Sequence, residues 1–291
     1  MKVIITGASG LLGQYLNIEL AKKNEIIALH NTREGNTKNF KSIRLNLEDL
    51  SSLKKVILEN KPDFVIHTAG ITRPETADAM PYKEVKKINV EATRVIAESC
   101  ESIKARMVFT STDLVYDGNS GGMLTESGKI NPLSSYAVSK VEAEEEIKSI
   151  TENYVILRTA LLFGIGLNGS VNNFHILLEN LRNRKLSNLF VDQLRTPLSL
   201  QNASRIISQI VDSGLKNLTL NFAGPERVSR YELGAMLCEA GGFDETLLNK
   251  IYLKDMSTVK PVYDVSLNTT LLRKMGLSQN ELIKEITSAI Q

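Results

Sequence analysis

Tyr136 and Lys140 stand four residues apart in "SSYAVSKVEAEEE", a spacing that puts both side chains on one face of a helix, one turn apart. A free tyrosine titrates at about 10 and donates protons poorly at neutral pH, but an adjacent ammonium stabilises its phenolate. Such a pair suits general acid catalysis on a carbonyl oxygen while a hydride arrives at the carbon. The plainer reading of the same letters is a surface tyrosine beside a solvated lysine. Upstream, the β-rich run "MVFTSTDLVYDG" ends in the hydroxyls of Ser111 and Thr112 beside Asp113. Hydroxyls there can hold a reacting carbonyl oxygen at a strand's carboxyl end, or they cap the strand and begin a turn.

A third signal opens the chain. In "MKVIITGASGLLGQYLNIEL", Gly7, Gly10 and Gly13 recur at intervals of three, one residue longer at the first interval than the dinucleotide fingerprint G-x-G-x-x-G. Gly7 can supply a tight turn, Gly10 a close backbone approach to a pyrophosphate, and Gly13 close packing of helix on sheet. The amino terminus of the following helix offers free N–H groups and a favourable dipole to phosphate oxygens. Alone, the loop favours cofactor binding over a structural turn, the plainer reading of the same glycines.

The elements that would carry these residues alternate. Strand patterns at "KVIIT", "EIIALH", "SIRLNL", "FVIHTAG", "RMVFTST" and "YVILRTALLFG" are separated by helical patterns at "LLGQYLNIELAKK", "LEDLSSLKKVILENK", "YKEVKKINVEATRVIAESCES" and "SSYAVSKVEAEEEIKSI". This alternation predicts an α/β fold with a doubly wound parallel sheet of the Rossmann type. After "FGIGLNGS" the pattern loosens into helices at "VNNFHILLENLRNR", "LQNASRIISQIVDS", "SRYELGAMLCEAGG" and "SQNELIKEITSAI" and strands at "LFVD" and "LTLNFAG". Residues 1–163 with 192–222 are expected to form the dinucleotide-binding domain, and 164–191 with 223–291 a smaller C-terminal substrate-binding lobe at the sheet's carboxyl edge. "TRPETADAMP" reads as a loop over the cofactor, and "VEAEEEIKS" as a solvated helix face.

Composition narrows the function classes. The 291 residues are 42% hydrophobic and 23% charged, an ordinary globular balance able to bury a core. Lysine and arginine number 35 against 33 acidic residues, with no basic cluster interleaved with aromatics, so nucleic acid is not an expected partner. No apolar run approaches the roughly 18 residues of a membrane helix, and Lys2 leads directly into a strand pattern, so a cytoplasmic protein without membrane attachment is expected. His30, His67 and His175 show no ligand spacing, and no metal is expected. Cys100 and Cys238 each sit in an amphipathic helical segment and are expected as buried free thiols.

Together the three signals resemble the extended short-chain dehydrogenase/reductases. "TGASGLLG" is similar to that family's T-G-x-x-G-x-x-G, and "YAVSK" to its Y-x-x-x-K. Within it the likeness is to the dTDP-4-dehydrorhamnose reductase group of nucleotide-sugar reductases, through "STDLVYDG", "PLSSYAVSK", "NNF" and "DQLRTPL". The resemblance implies that Thr112, Tyr136 and Lys140 are catalytic, with Lys140 also holding the nicotinamide ribose. It assigns the cofactor to Gly7, Ser9, Gly10, Leu11, Leu12 and Gly13, to Asn46 and Leu47 on the adenine side, and to Ala69 and Gly70 beside the nicotinamide. Asn89 would support a proton relay near the lysine, and Arg158 and Thr159 would line the next strand. Asn173, Gln193 and Arg195 match or neighbour nucleotide-sugar contacts, and Arg73 could reach substrate. Leu114, Arg195 and the pair Leu198 and Ser199 depart from the family pattern on the substrate side.

The resemblance implies an NADPH-dependent reductase of a 4-keto nucleotide deoxysugar, commonly a homodimer pairing helices near residues 81–101 and 134–150. Two alternatives keep the fold: an NAD-dependent nucleotide-sugar epimerase, and a non-catalytic, cofactor-binding regulatory subunit like methionine adenosyltransferase beta. A dehydratase is disfavoured because Asp113 is followed by Leu114 where that class has glutamate. The cofactor choice rests on "ALHNTREG": no acid ends the second strand to bind ribose hydroxyls, whereas Arg33 is placed to accommodate a 2′-phosphate, so NADP(H) is preferred with NAD(H) possible. Arg33→Ala is therefore expected to raise the KM for NADPH far more than that for NADH in steady-state assays; equal effects would remove the assignment.

Overall fold

Val3, Ile4 and Ile5 in the first strand, and Val65 and Ile66 in the fourth, are fully buried on both faces, as parallel strands covered by helices on each side must be. The structure, a computed structural model, describes residues 1–256 and 261–291. The first-half strands are β1 (Lys2–Thr6), β2 (Glu25–His30), β3 (Lys41–Arg44), β4 (Phe64–His67), β5 (Arg106–Thr112) and β6 (Tyr154–Thr159). Short strands follow as β7 (Leu162–Phe163), β8 (Ser187–Phe190), β9 (Leu194–Arg195) and β10 (Leu198–Ser199), then β11 (Leu218–Phe222), β12 (Val228–Ser229) and β13 (Leu248–Ile251). One seven-stranded sheet has the order β11-β6-β5-β4-β1-β2-β3, every pair parallel. The strand order reverses direction at β1 and β4, where Ile5 lies opposite Ile66. In such sheets the crevice beyond the carboxyl ends of those two strands is the ligand site. The fold is the expected Rossmann-like α/β.

Each face is sealed by its own helices. Helix α1 (Leu11–Leu20) packs on one face with α8 (Leu200–Asp212), through Leu12, Leu16, Leu20, Ile206 and Ile210. The opposite face takes α2 (Leu50–Asn60), α5 (Ala92–Ile103) and α6 (Ser135–Ile150), through Leu53, Ile57, Ile96, Cys100 and Ile147. A separate core joins α7 (Asn173–Arg182), α9 (Arg230–Gly241) and α11 (Leu282–Ile290) around Phe163, Leu178, Leu237 and Cys238, beside the parallel pair β8 and β13. The short α10 (Thr270–Lys274) instead packs Leu272 against the main sheet's core. Both cysteines are buried and unpaired, as expected.

Local chemistry revises several element expectations. "TRPETADAMP" holds a helix, α3 (Pro74–Asp78), because Pro74 occupies its first turn, where a missing N–H costs nothing. The single helix expected over 82–102 begins as α4 (Tyr82–Lys86) and passes through a π turn at Lys87–Glu91 before α5. "YVILRTALLFG" divides into β6 and β7. The run after Lys140 is not uniformly solvated: Glu144 is 1% exposed. On the helices near 81–101 and 134–150, none of the described residues exposes a large apolar side chain; Val171, Ile176, Leu186 and Tyr252, which do, lie elsewhere. No helix among the described residues is long and apolar enough to cross a membrane.

The glycine turn fixes how α1 meets the sheet. A Cβ added at Gly13 would lie 2.1 Å from the Gly7 carbonyl oxygen and 2.7 Å from Ala8 Cα, so both neighbours that must give way are backbone. Gly13→Ala is expected to destabilise the protein by about 1–3 kcal/mol despite alanine's better helix propensity, as measured by urea unfolding.

Candidate active site

The cleft at the carboxyl ends of the strands has a volume of about 1590 Å³. Its floor is the glycine turn. Gly7 has φ of 67°, and a Cβ there would stand 2.8 Å from the Ala69 amide nitrogen, so only glycine lets the turn after β1 touch the end of β4. Gly10 occupies the cap position of α1 with no side-chain cap, leaving the helix's first amides to a ligand. Ser9, Gly10, Leu11 and Leu12 line the cleft, with Ala69 and Gly70 across from them. Arg33, Asn46 and Leu47 line its far end, beyond β2 and β3, and Arg33 is exposed. A glycine cradle open to helix N–H groups, with a cation at the distal end, fits a dinucleotide.

Thr112, Tyr136 and Lys140 all line the same cleft. The N-cap Ser134 accepts from the Ala137 amide at 3.2 Å, starting α6 so that Tyr136 enters the cleft in its first turn. The Thr112 hydroxyl, at the end of β5, lines the cleft with the phenol; it donates to Asp113 Oδ1 at 3.2 Å and accepts from the Leu114 amide at 3.2 Å. Burial pushes Tyr136 up to about 12, the Thr112 hydroxyl opposes this, and the Asp113 charge adds to it. The phenol is thus protonated at neutral pH. Lys140 is 3% exposed; its Nζ donates to the Thr110 carbonyl at 2.8 Å and lies 4.5 Å from the Phe109 ring centroid. Burial pulls it down to about 8, against the upward pull of Glu144. The tyrosine is thus raised by its own desolvation, and the lowering expected from the Lys140 charge is not among the causes acting on it.

Beneath Lys140 lies a buried ion pair. Glu144 accepts from Arg158 Nη2 at 2.8 Å and Nε at 3.1 Å, and from the Ser111 hydroxyl at 2.6 Å. Arg158 also donates to the Tyr116 hydroxyl at 2.8 Å and to the Glu126 carbonyl at 2.9 Å. Burial raises the Glu144 carboxyl, but Arg158 outweighs it and holds the group below the usual carboxylate range. Ser111 thus bonds Glu144, leaving Thr112 as the strand-end hydroxyl that meets Tyr136. His67 is a second buried support. Its Nδ1 lies 2.6 Å from Thr6 Oγ1 and its Nε2 3.0 Å from Thr93 Oγ1, while burial, then the Lys140 charge, depress it to about 3 and keep it neutral.

Asn89 does not line the cleft. It sits in the π turn, its Oδ1 accepting from the Ile71 amide at 2.8 Å and its Nδ2 donating to the Ile71 carbonyl at 3.0 Å and Ser139 Oγ at 2.9 Å. Ser139 in turn bonds the Tyr136 carbonyl at 2.7 Å, so the carboxamide positions the turn after β4 against α6.

On the lobe side, Arg73, Asn173, Gln193 and Arg195 line the cleft, and Arg73 is exposed. Arg195 is 5% exposed and committed to main chain: its Nη1 donates to the Leu194 carbonyl at 2.7 Å and the Tyr263 carbonyl at 3.2 Å, and its Nε lies 3.6 Å from Asp113. Burial raises Asp113 above the ordinary carboxylate range, against Arg195, the Thr112 bond and Arg230. Arg230, at the start of α9, also lines the cleft and was not among the sequence candidates. Its one sequence signal was a cation at the amino end of a helix, where the dipole disfavours it.

The seven-stranded parallel sheet flanked by helices, with the glycine turn, Thr112, Tyr136 and Lys140 lining one cleft, defines a Rossmann-like α/β fold. The chain belongs to the family described as the RmlD substrate binding domain, whose model matches residues 1–285. It is 26% identical over 283 residues to methionine adenosyltransferase 2 subunit beta of Xenopus tropicalis, covering 96% of this chain and 83% of that one. The crystal structure of a dTDP-4-dehydrorhamnose reductase from Clostridium acetobutylicum is similar at 25% identity and a TM-score of 0.85, covering 100% of this chain and 98% of that one. The fold is shared with dTDP-4-dehydrorhamnose reductase of Bacillus anthracis in complex with NADP, at 22% identity and a TM-score of 0.84 over 99% of this chain and 98% of that one.

Removing one member of the buried pair strands the other. Arg158→Met is expected to destabilise the protein by about 3–5 kcal/mol, and Glu144→Gln combined with Arg158→Met by less than the sum of the single losses. A double-mutant cycle in urea unfolding measures both.

Proposed function

We propose that this chain is an NADPH-dependent reductase of the 4-keto group of a nucleotide-linked deoxysugar. The observation that carries the reading is the gathering of the protonated Tyr136 phenol, the Thr112 hydroxyl at the end of β5 and the buried Lys140 ammonium in the cleft floored by the glycine turn. The backbone of Gly7 to Gly13 would hold the pyrophosphate, Asn46 and Leu47 the adenine side, and Ala69, Gly70 and Lys140 the nicotinamide half. When bound, the reduced nicotinamide supplies a hydride to the carbonyl carbon. Thr112 holds the carbonyl oxygen and Tyr136 delivers its proton to it; because the phenol's titration lies far above neutral pH, the acid form is fully populated. The Lys140 ammonium then favours the phenolate left behind, since the negative charge arrives where the cation is already desolvated. Arg33 and the lack of an acid at the end of β2 favour NADPH.

A second reading is a cofactor-binding regulatory subunit, favoured by the 26% identity to methionine adenosyltransferase 2 subunit beta. The two readings separate on turnover. With NADPH and a panel of 4-keto nucleotide sugars, the wild type is expected to turn over. Tyr136→Phe is expected to lose activity by about 10²- to 10⁴-fold with nearly unchanged NADPH affinity. Wild-type binding of NADPH without turnover of any keto sugar, together with a stable partner in a pull-down, would transfer the assignment to the second reading.

A further inference from the structure

Arg230 is a cation placed against three electrostatic disadvantages. It is the first residue of α9, facing the positive end of the helix dipole, although Ser229 and Glu232 close a capping box there. It stands beside a second guanidinium, Arg195, and it is only partly exposed; burial first, then the Arg195 charge, pull it down to about 10. Only the Asp113 charge and one hydrogen bond offset this, from Arg230 Nε to Gln193 Oε1 at 2.8 Å. Among the described residues no acceptor meets its two terminal nitrogens.

The contrast with Arg195 is informative. Arg195 gives its donors to the Leu194, Tyr263 and Val262 carbonyls and its charge to Asp113, so it is held as part of the wall. Three guanidiniums, Arg195, Arg227 and Arg230, against the two carboxylates Asp113 and Asp264 leave one positive charge in excess, beside the strand end that carries Thr112. Gln193 fixes the plane of the Arg230 fork. A recess that concentrates like charge at such cost is preorganised for an anion that enters with the ligand, and a planar fork suits paired bonds to two oxygens.

We propose that Arg230 is the docking point for an oxyanion of the substrate and sets its specificity for charged over neutral forms. This rests on the reductase reading for the identity of the ligand but not for the site's chemistry. A diphosphate linkage and a sugar carboxylate share that chemistry, so the test separates them.

The protein saturated with NADPH, which fills the glycine cradle, is titrated calorimetrically at low salt with thymidine diphosphate, thymidine and methyl glucuronide. Thymidine diphosphate is expected to bind at least tenfold more tightly than thymidine. Arg230→Ala should erase that difference, and Arg230→Lys should keep part of it because charge survives without the fork. Unchanged NADPH affinity in both variants shows that the fold is intact. Arg230 dependence for the glucuronide alone assigns the oxyanion to a sugar carboxylate. Equal binding of all three probes to the wild type, or an Arg230→Ala variant that binds both thymidine diphosphate and methyl glucuronide as tightly as the wild type, overturns the proposal. Failure of NADPH to bind the wild type would overturn the reductase reading. In that case the Arg230 comparison, run without NADPH, still decides the oxyanion site, because the glycine cradle contains no part of Arg230.

Discussion

Glu144 and Arg158 are taken out of water together, and the active-site side of the sheet is arranged around the consequence. A carboxylate and a guanidinium are tolerated in a core only when each satisfies the other and the remaining bonds are made. Here those bonds reach Ser111 on β5, the Tyr116 hydroxyl and the Glu126 carbonyl, so α6, β5, β6 and the segment after β5 are fixed to one another. Tyr136 and Lys140 lie two turns and one turn before Glu144 on the same helix. Their position over the strand ends is therefore inherited from the pair below. The Glu144 charge also opposes the desolvation of Lys140.

The other half of the cleft depends on closeness rather than charge. Gly7 and Gly13 remove side chains where the turn, β4 and α1 converge, and the same helix is tied sideways to the lobe. Tyr15 donates to the Ile165 carbonyl at 2.8 Å, and Gln14 Nε2 to the Leu167 carbonyl at 2.8 Å. The Gln14 carbonyl group at the side-chain end meanwhile accepts from the Asn36 amide at 3.1 Å, just past Arg33. One helix thus joins the glycine turn, the segment bearing Arg33 and the loop that leads into α7. The floor of the cleft and the wall before α7 share one support.

Seen through that geometry, the relatives differ in what they ask of one cleft. A reductase needs the proton at Tyr136 and room for a carbonyl at Thr112, whereas a regulatory subunit needs only the cofactor floor and a surface. The protonated phenol, its threonine partner and the uncommitted Arg230 are features a purely structural cofactor pocket would have no use for. They favour a cleft that handles a charged, carbonyl-bearing ligand.

Much of the fold was legible because the sheet is buried on both faces. "KVIIT", "EIIALH" and "RMVFTST" are continuous apolar runs, and their strands match β1, β2 and β5 residue for residue. Patterns that serve two purposes were not legible. Glu144 belongs to an acidic run that looks solvated, and only its registration against Arg158 on another strand buries it. The π turn hides inside a helical period. Arg195 and Arg230 are single arginines in sequence, and which one is committed to carbonyls depends on where the chain near residue 263 returns. The sequence by itself determined the sheet and the glycine turn, because those follow from local periodicity and steric need, and its resemblance to a known family singled out Thr112, Tyr136 and Lys140. Only the tertiary structure decided the charge states and free donors of the site, because desolvation and ion pairing are set by neighbours distant along the chain.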